Sequence, residues 1–149
     1  TLTAAAAATT TLKVGTGVCL VNQRDPIQLA KLVASIDQVS AGRFLFGIGV
    51  GWNQDEMENH GTVFGTRHKL VRERIEAMKA IWSKSKAEYH GEMVNFDPLM
   101  AWPKPVQKPH PPIWYGAPSA EAIGWAVPKA ASTLSRFQIA SRPSTFRCS

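Results

Sequence analysis

A chain of 149 residues with 44% hydrophobic and 19% charged side chains has a globular composition and is long enough for one domain with a real core. No apolar run approaches the roughly 20 residues of a membrane span. The alanine stretch Ala4–Ala8 lacks a basic leader and is too short for a secretion signal, so no membrane partner is expected. Residues 1–100 carry 11 basic and 10 acidic side chains and residues 101–149 carry 6 and 1, giving a net charge of +6 concentrated late. Those late basic residues stand singly, without aromatic interleaving, which argues against a nucleic-acid partner.

Leu2 to Ala8 reads as the end of a helix. Leu12 to Val21 reads as a buried strand interrupted by Gly15 and Gly17, with Cys19 a buried thiol inside it. The two cysteines, Cys19 and Cys148, build no disulfide framework, and a reducing, cytoplasmic compartment fits them. Asp25 and Pro26 are a strong helix start, a capping carboxylate followed by proline at the first helical position. Leu29, Leu32, Val33, Ile36 and Ser40 fall on one face of that helix, and Gly42 supplies its stop. Phe44 to Val50 follows at once. It is an apolar run without alternation, which suits a parallel strand covered on both faces. Strand, helix and strand in immediate succession is the βαβ signature.

The glycines at 47, 49 and 51 weaken such a strand, each by roughly 0.5–1 kcal/mol relative to alanine. Two readings of them stand. Either a backbone or ligand comes close, or tight packing needs the missing side chains.

After Trp52 comes a polar loop, Asn53-Gln54-Asp55-Glu56. A helix is expected from near Thr66 to Trp82, with an apolar stripe of Leu70, Val71, Ile75, Met78, Ile81 and Trp82. Arg67, Lys69, Arg72, Glu73, Arg74 and Glu76 are its solvated face. Lys86 to Phe96 suggests a hairpin around His90 and Gly91. Pro98 to Pro112 holds six prolines and reads as an extended connection. Ile113 to Gly116 reads as a third short buried strand, and Ser119 caps a final helix through Trp125. Strands near 12–20, 44–50 and 113–116 are expected to lie parallel. Pro128 breaks the last helix. Ala131 to Ser149, with no acid and no clear period, reads as disordered or non-native sequence.

Few motifs carry chemistry. Gly47-x-Gly49-x-Gly51 lies within the strand and opens no helix, so it is not the dinucleotide fingerprint. His60, His68, His90 and His110 share no ligand spacing, and no metal is expected. Asp55 and Glu56 are adjacent loop carboxylates, more simply solvated than an acid–base pair. No Ser-His-Asp arrangement, phosphate loop or nucleophile elbow is present. Catalytic residues therefore stay unassigned.

Several segments nevertheless resemble one family in order and spacing. They are Val14-Gly15-Thr16-Gly17-Val18, Arg24-Asp25-Pro26, Leu29-Ala30-Lys31, Asp37 to Arg43, Gly47-Ile48-Gly49-Val50-Gly51-Trp52 with Glu56, and the run from Trp102 to Trp114. Together, from about Leu2 to about Ala126, they resemble the bacterial-luciferase-like monooxygenases, most of all the actinobacterial branch that uses the deazaflavin coenzyme F420. The resemblance implies a (β/α)8 barrel whose active site lies at the C-terminal ends of its strands. Val14–Leu20, Phe44–Val50 and Ile113–Gly116 would be its third, fourth and fifth strands. The third ends in a bulge with a non-prolyl cis peptide that backs the flavin ring, at Gly17 and Val18. Val50, Trp52 and Asp55 would line the cofactor after the fourth strand. Gly116, Ala117 and Ser119 would hold its side chain or phosphate after the fifth. Trp52 stands where some members carry an acid.

A whole barrel takes roughly 250 residues. The expectation is therefore an α/β partial TIM barrel over residues 1–127, with a poorly patterned, frame-shifted tail over 128–149. Its other strands would carry the catalytic groups. The implied activity is hydride transfer between F420, or alternatively FMN, and a small-molecule substrate. The competing reading is a non-catalytic α/β fragment serving interaction or homo-oligomerisation. Cut strands expose unpaired N–H and C=O groups, so these residues alone are expected to associate through their edges and to bind cofactor weakly.

Overall fold

The computed structural model describes residues 1–116. The expected helix from Ser119 and the tail from Pro128 lie outside those residues, as do Ala117 and Ser119 themselves. The elements in chain order are α1 (Leu2–Ala7), β1 (Val14–Gly15), β2 (Cys19–Leu20), α2 (Pro26–Val39), β3 (Phe44–Gly49), α3 (Gln54–Asn59), α4 (Arg67–Ser83), β4 (Ala87–His90), β5 (Asn95–Leu99) and β6 (Ile113–Tyr115). Single 3-10 turns at Val21–Gln23 and Phe64–Thr66 precede α2 and α4. Among the described residues no helix is long and apolar enough to cross a membrane.

The sheet is mixed α/β in connection and parallel in direction. β3 is its centre. β1 and β2 both pair with it in parallel, with Gly15 opposite Leu45 and Cys19 opposite Ile48. β6 pairs with it in parallel as well, with Phe46 opposite Ile113. The expected single strand from Leu12 to Val21 is therefore two short pieces. From Gly15 to Cys19 the chain takes four steps while β3 takes three, so one extra residue is accommodated as a bulge. The glycines at 15 and 17 marked an interruption but not its form, because the bulge depends on what lies across from it.

Asp25 caps α2 as expected, accepting the Gln28 N–H at 2.8 Å, and Gly42 ends the turn with φ +79°. The buried face of α2 is Leu29, Ala30, Val33, Ala34 and Asp37. Leu32, expected on that face, is 62% exposed. The small side chains of Ala30 and Ala34 let α4 approach, and the helix turns that side inward instead. Trp82 of α4 marks the contact, donating from Nε1 to the Ala30 carbonyl at 2.9 Å and meeting Phe46 edge-on at 6.2 Å. Phe44, Phe46 and Ile48 are buried in the same cluster as Val71, Ile75 and Met78.

Three polar anchors fix the connections. Arg43 donates to the carbonyls of Ala6, Thr9, Leu12 and Ser40, tying α1 and its following loop to the start of β3. Buried Asp37 accepts from the Gln107 N–H and its Nε2, and that Nε2 also donates to the Phe44 carbonyl. The proline-rich run is thereby docked under β3. Lys104 donates to the Ile81 and Lys84 carbonyls at the end of α4.

The solvated face expected for α4 is corrected at two positions. Arg74 donates to the carbonyls of Val21 and Arg24 at 2.9 and 2.7 Å, holding the turn that follows β2. Glu73 is buried and accepts the N–H groups of Met93 and Val94 at 2.8 and 3.0 Å. It grips the tip of the antiparallel β4–β5 hairpin, which forms around His90 and Gly91 as expected. Charged residues at helical spacing read as exposed unless another element is known to cover them, and the hairpin does so only in three dimensions.

Burial pushes the Glu73 carboxyl up, but the N–H donors of Met93, Val94 and Glu92 and the Lys69 ammonium outweigh it, leaving its pKa below the usual glutamate value. A folded-state pKa below the unfolded one adds stability above the unfolded value, and that stability is lost as pH falls through the folded one. Glu73→Gln is therefore predicted to cost about 1 kcal/mol at neutral pH. The deficit shrinks as pH falls below about 4.3, which thermal melts of both proteins across that range will show.

Candidate functional site

β2, β3 and β6 run parallel and end on one side, and Gly17, Val18 and Gly116 of the sequence-assigned positions meet there. Thr16, Gly17 and Val18 form the bulge. Thr16 donates its N–H to the Leu45 carbonyl at 3.3 Å and its Oγ1 to the Gly47 carbonyl at 2.6 Å. Side chains alternate along a strand, so positions 45, 47 and 49 share the face opposite Phe44, Phe46 and Ile48. Two of those three are glycine. A Cβ on Gly47 would stand 1.9 Å from the Thr16 carbonyl oxygen, and one on Gly49 would stand 2.7 Å from Val18 Cγ2. The bulge lies where those side chains would be. Of the two readings open for these glycines, Gly47 follows the first, since the Thr16 backbone comes close, while at Gly49 the neighbour is the Val18 side chain packed over it.

The peptide bond between Gly17 and Val18 is cis, at the position the family resemblance implies. Val18 is 50% exposed. Its Cγ2 covers Gly49, and its Cγ1 stands 3.7 Å from the Cβ position of Gly116. Gly116 is held by its N–H on the Ile48 carbonyl at 3.1 Å. A Cβ on Gly17 would meet no described heavy atom within 4 Å. Gly17, Val18 and Gly116 are thus brought together around an open, apolar spot at the strand ends.

The positions after β3 behave differently. Val50 is half-buried, and its carbonyl accepts Asn22 Nδ2 at 2.8 Å. Gly51 turns the chain with φ +76°, over the Met57 methyl. Trp52 is 86% exposed. The polar stretch from Asn53 is not a loop throughout. Asn53 accepts the Glu56 N–H and caps α3, so Asp55 is an exposed residue of that helix's first turn. Asn53 three residues before Glu56 was a capping signal in plain view. No hydrogen bond or ring contact among the described residues joins Trp52 or Asp55 to Gly17, Val18 or Gly116. Ala117 and Ser119 lie outside the described residues.

Groups not singled out from sequence also stand here. Tyr115 Oη lies 3.4 Å from His68 Nδ1 at the start of α4. Burial pushes the Tyr115 phenol up, with the Arg67 guanidinium acting the other way. Asn22 is fully buried. A polar residue between a strand and a helix start reads as a loop residue, and nothing in the linear pattern marks it. Cys19, expected from sequence as a buried thiol, is only half-buried, and burial holds its thiol above the usual value despite Arg24. Among the described residues no group of three His, Cys, Asp or Glu side chains is placed to hold a metal ion.

The glycines yield a sharp contrast. Gly47→Ala is predicted to destabilise the fold by about 1–3 kcal/mol, because the Thr16 backbone rather than a flexible side-chain tip must move. Gly116→Ala, whose new methyl meets neighbours only at 3.7 Å and beyond, is predicted to be nearly neutral. Denaturant titration of the two variants measures the difference.

The family model described as luciferase-like monooxygenase matches residues 1–136. An uncharacterized protein of Mycobacterium tuberculosis is 48% identical over 120 residues, covering 80% of this chain and 42% of that protein. The FMNH(2)-dependent dimethylsulfone monooxygenase of Pseudomonas putida is 34% identical over 119 residues, covering 78% of this chain and 32% of that protein. The coenzyme F420 dependent tetrahydromethanopterin reductase of Methanopyrus kandleri superposes with a TM-score of 0.70 over 84% of this chain and 40% of that one, and at 23% identity the likeness is one of fold. The chain thus spans less than half the length of each. With a family match over most of its length and its strand, helix and bulge order in agreement, the chain belongs to the luciferase-like monooxygenase family.

Proposed function

We propose that this chain forms the cofactor-bearing part of an oxidoreductase that binds coenzyme F420 and exchanges a hydride with a small organic substrate. The observation that carries the reading is the bulge at Gly17 and Val18, laid over the side-chain-free face of β3 beside Gly116. In this reading β1 with β2, β3 and β6 are the third, fourth and fifth strands of a (β/α)8 barrel. Residues 1–127 are the barrel portion, and the site lies at the strand ends, as in barrels generally.

The residues present fit a flat, largely apolar ring. Val18 offers a half-exposed aliphatic surface, and Gly17 leaves open space above its Cα. These two would back the ring. Gly116, with Ala117 and Ser119 beyond the described residues, would flank the cofactor's side chain or phosphate. Val50, Trp52 and Asp55 would border it from the exit of β3. A deazaflavin, when bound, supplies the hydride chemistry itself, and the protein supplies placement, exclusion of water and electrostatics. Trp52 has no titrating proton in the physiological range, so proton transfer is not assigned to that position.

The choice of F420 rests on the motif resemblance to the actinobacterial branch. FMN is the second reading, favoured by the 34% identity to an enzyme named for FMNH(2). Titrating the full-length parent protein with F420 and with FMN, and following cofactor fluorescence, separates them. Tighter F420 binding is predicted, and equal or tighter FMN binding reverses the choice. Gly17→Ala is predicted to weaken the bound cofactor about tenfold, equal to about 1.4 kcal/mol. Its melting temperature should stay unchanged, since the new methyl meets nothing in the described chain. Binding of neither cofactor overturns the reading.

A further inference from the structure

Asn22 sits where three parts of the site are fastened. It lies in the single turn after β2 and is fully buried. Its Nδ2 donates to the Val50 carbonyl at 2.8 Å, at the exit of β3, and to Met57 Sδ at 3.3 Å, inside α3. Its own carbonyl accepts Thr62 Oγ1 at 2.6 Å. The Thr62 N–H in turn donates to the Met57 carbonyl at 2.9 Å, closing the turn after α3. Among the described residues, the hydrogen bonds that tie segment 51–62 to the rest of the chain are the Met57 and Thr62 contacts with Asn22, and Asn22 also holds the Val50 carbonyl just before it.

The orientation of the amide is set by its partners. A carbonyl and a thioether are both acceptors, so the NH2 end must face them. The Oδ1 end is then buried with no donor among the described residues. A buried acceptor left unpaired is costly, and such a group in a folded protein calls for an explanation. An aliphatic residue would avoid that cost and keep the Thr62 bond, which goes to the backbone carbonyl, but would leave the Val50 carbonyl and Met57 Sδ without their donor.

We propose that Asn22 is a positioning residue, setting the segment that carries Trp52 and Asp55 beside the strand ends so that cofactor affinity depends on a side chain that touches no cofactor. The inference rests on the proposed function and deepens it. Asn22 and Thr62 hold the two ends of the excursion, and the short helix between them carries its own cap at Asn53. Segment 51–56 is therefore bounded by anchors at Val50 before it and at Met57 and Thr62 after it.

The test uses hydrogen exchange of the cofactor-free protein, F420 titration and thermal melting on the wild type, Asn22→Ala, Thr62→Val and the control Trp82→Phe. The control loses the Trp82 bond to Ala30 between α2 and α4, away from the strand exits. Asn22→Ala is expected to speed exchange at residues 51–57 tenfold or more and to weaken F420 tenfold or more. Thr62→Val is expected to do the same to a smaller extent, about threefold, and decides the matter if Asn22→Ala does not fold. Trp82→Phe is expected to lower the melting temperature and leave F420 affinity unchanged. Wild-type exchange at 51–57 in the variants overturns the inference. So does fast exchange with undiminished affinity, or an equal loss of affinity in Trp82→Phe. A wild type that binds neither F420 nor FMN overturns the proposed function and the affinity claim together, and altered exchange would then still mark Asn22 as an anchor of the segment.

Discussion

Everything at the strand ends depends on backbone lying across backbone where side chains would normally stand. The Thr16 carbonyl occupies the place of a Cβ on Gly47, and Val18 occupies that of a Cβ on Gly49. Protein interiors are close-packed, so a segment can cross a sheet face at this distance only if that face is bare. The bare face is obtained at a conformational cost of roughly 0.5–1 kcal/mol per glycine. In exchange the bulge is seated, Val18 is presented half-exposed, and Gly116 is brought alongside it.

The opposite face of β3 has the contrary character. Phe44, Phe46 and Ile48 are fully buried against α2 and α4. That side supplies the hydrophobic stabilisation, on the order of 1.5–3 kcal/mol for each large side chain buried. It leaves the other side free to seat the bulge. The same division appears in the polar anchors. Arg43 and the Asp37–Gln107 pair hold the segments that enter β3 and run beneath it. Asn22 and Arg74 hold the turn by which the chain leaves β2.

Much of this was legible in the chain. Asp25-Pro26 marked the start of α2 because a capping carboxylate and an N-terminal proline act locally. The apolar stripe of α4 and the unalternating run of β3 were read from periodicity alone, and the parallel pairing followed from the strand–helix–strand order. The cis bond at Gly17–Val18 was legible only through the family resemblance, since no local pattern of residues encodes it. What failed was whatever depended on a partner distant in sequence. Leu32 looked buried until α4 was seen to pack on Ala30 and Ala34. Glu73 and Arg74 looked solvated until the hairpin and the turn after β2 were placed over them. Asn22 was invisible because its three partners lie 28 to 40 residues away.

The central claim is that the bulge at Gly17–Val18 is a seat for the ring of a deazaflavin or flavin. A crystal structure of the protein with F420 bound tests it most directly. The account predicts the ring in van der Waals contact with Gly17 and Val18, with Gly116 at its margin. A ring bound elsewhere, with the bulge left open to solvent, would contradict it.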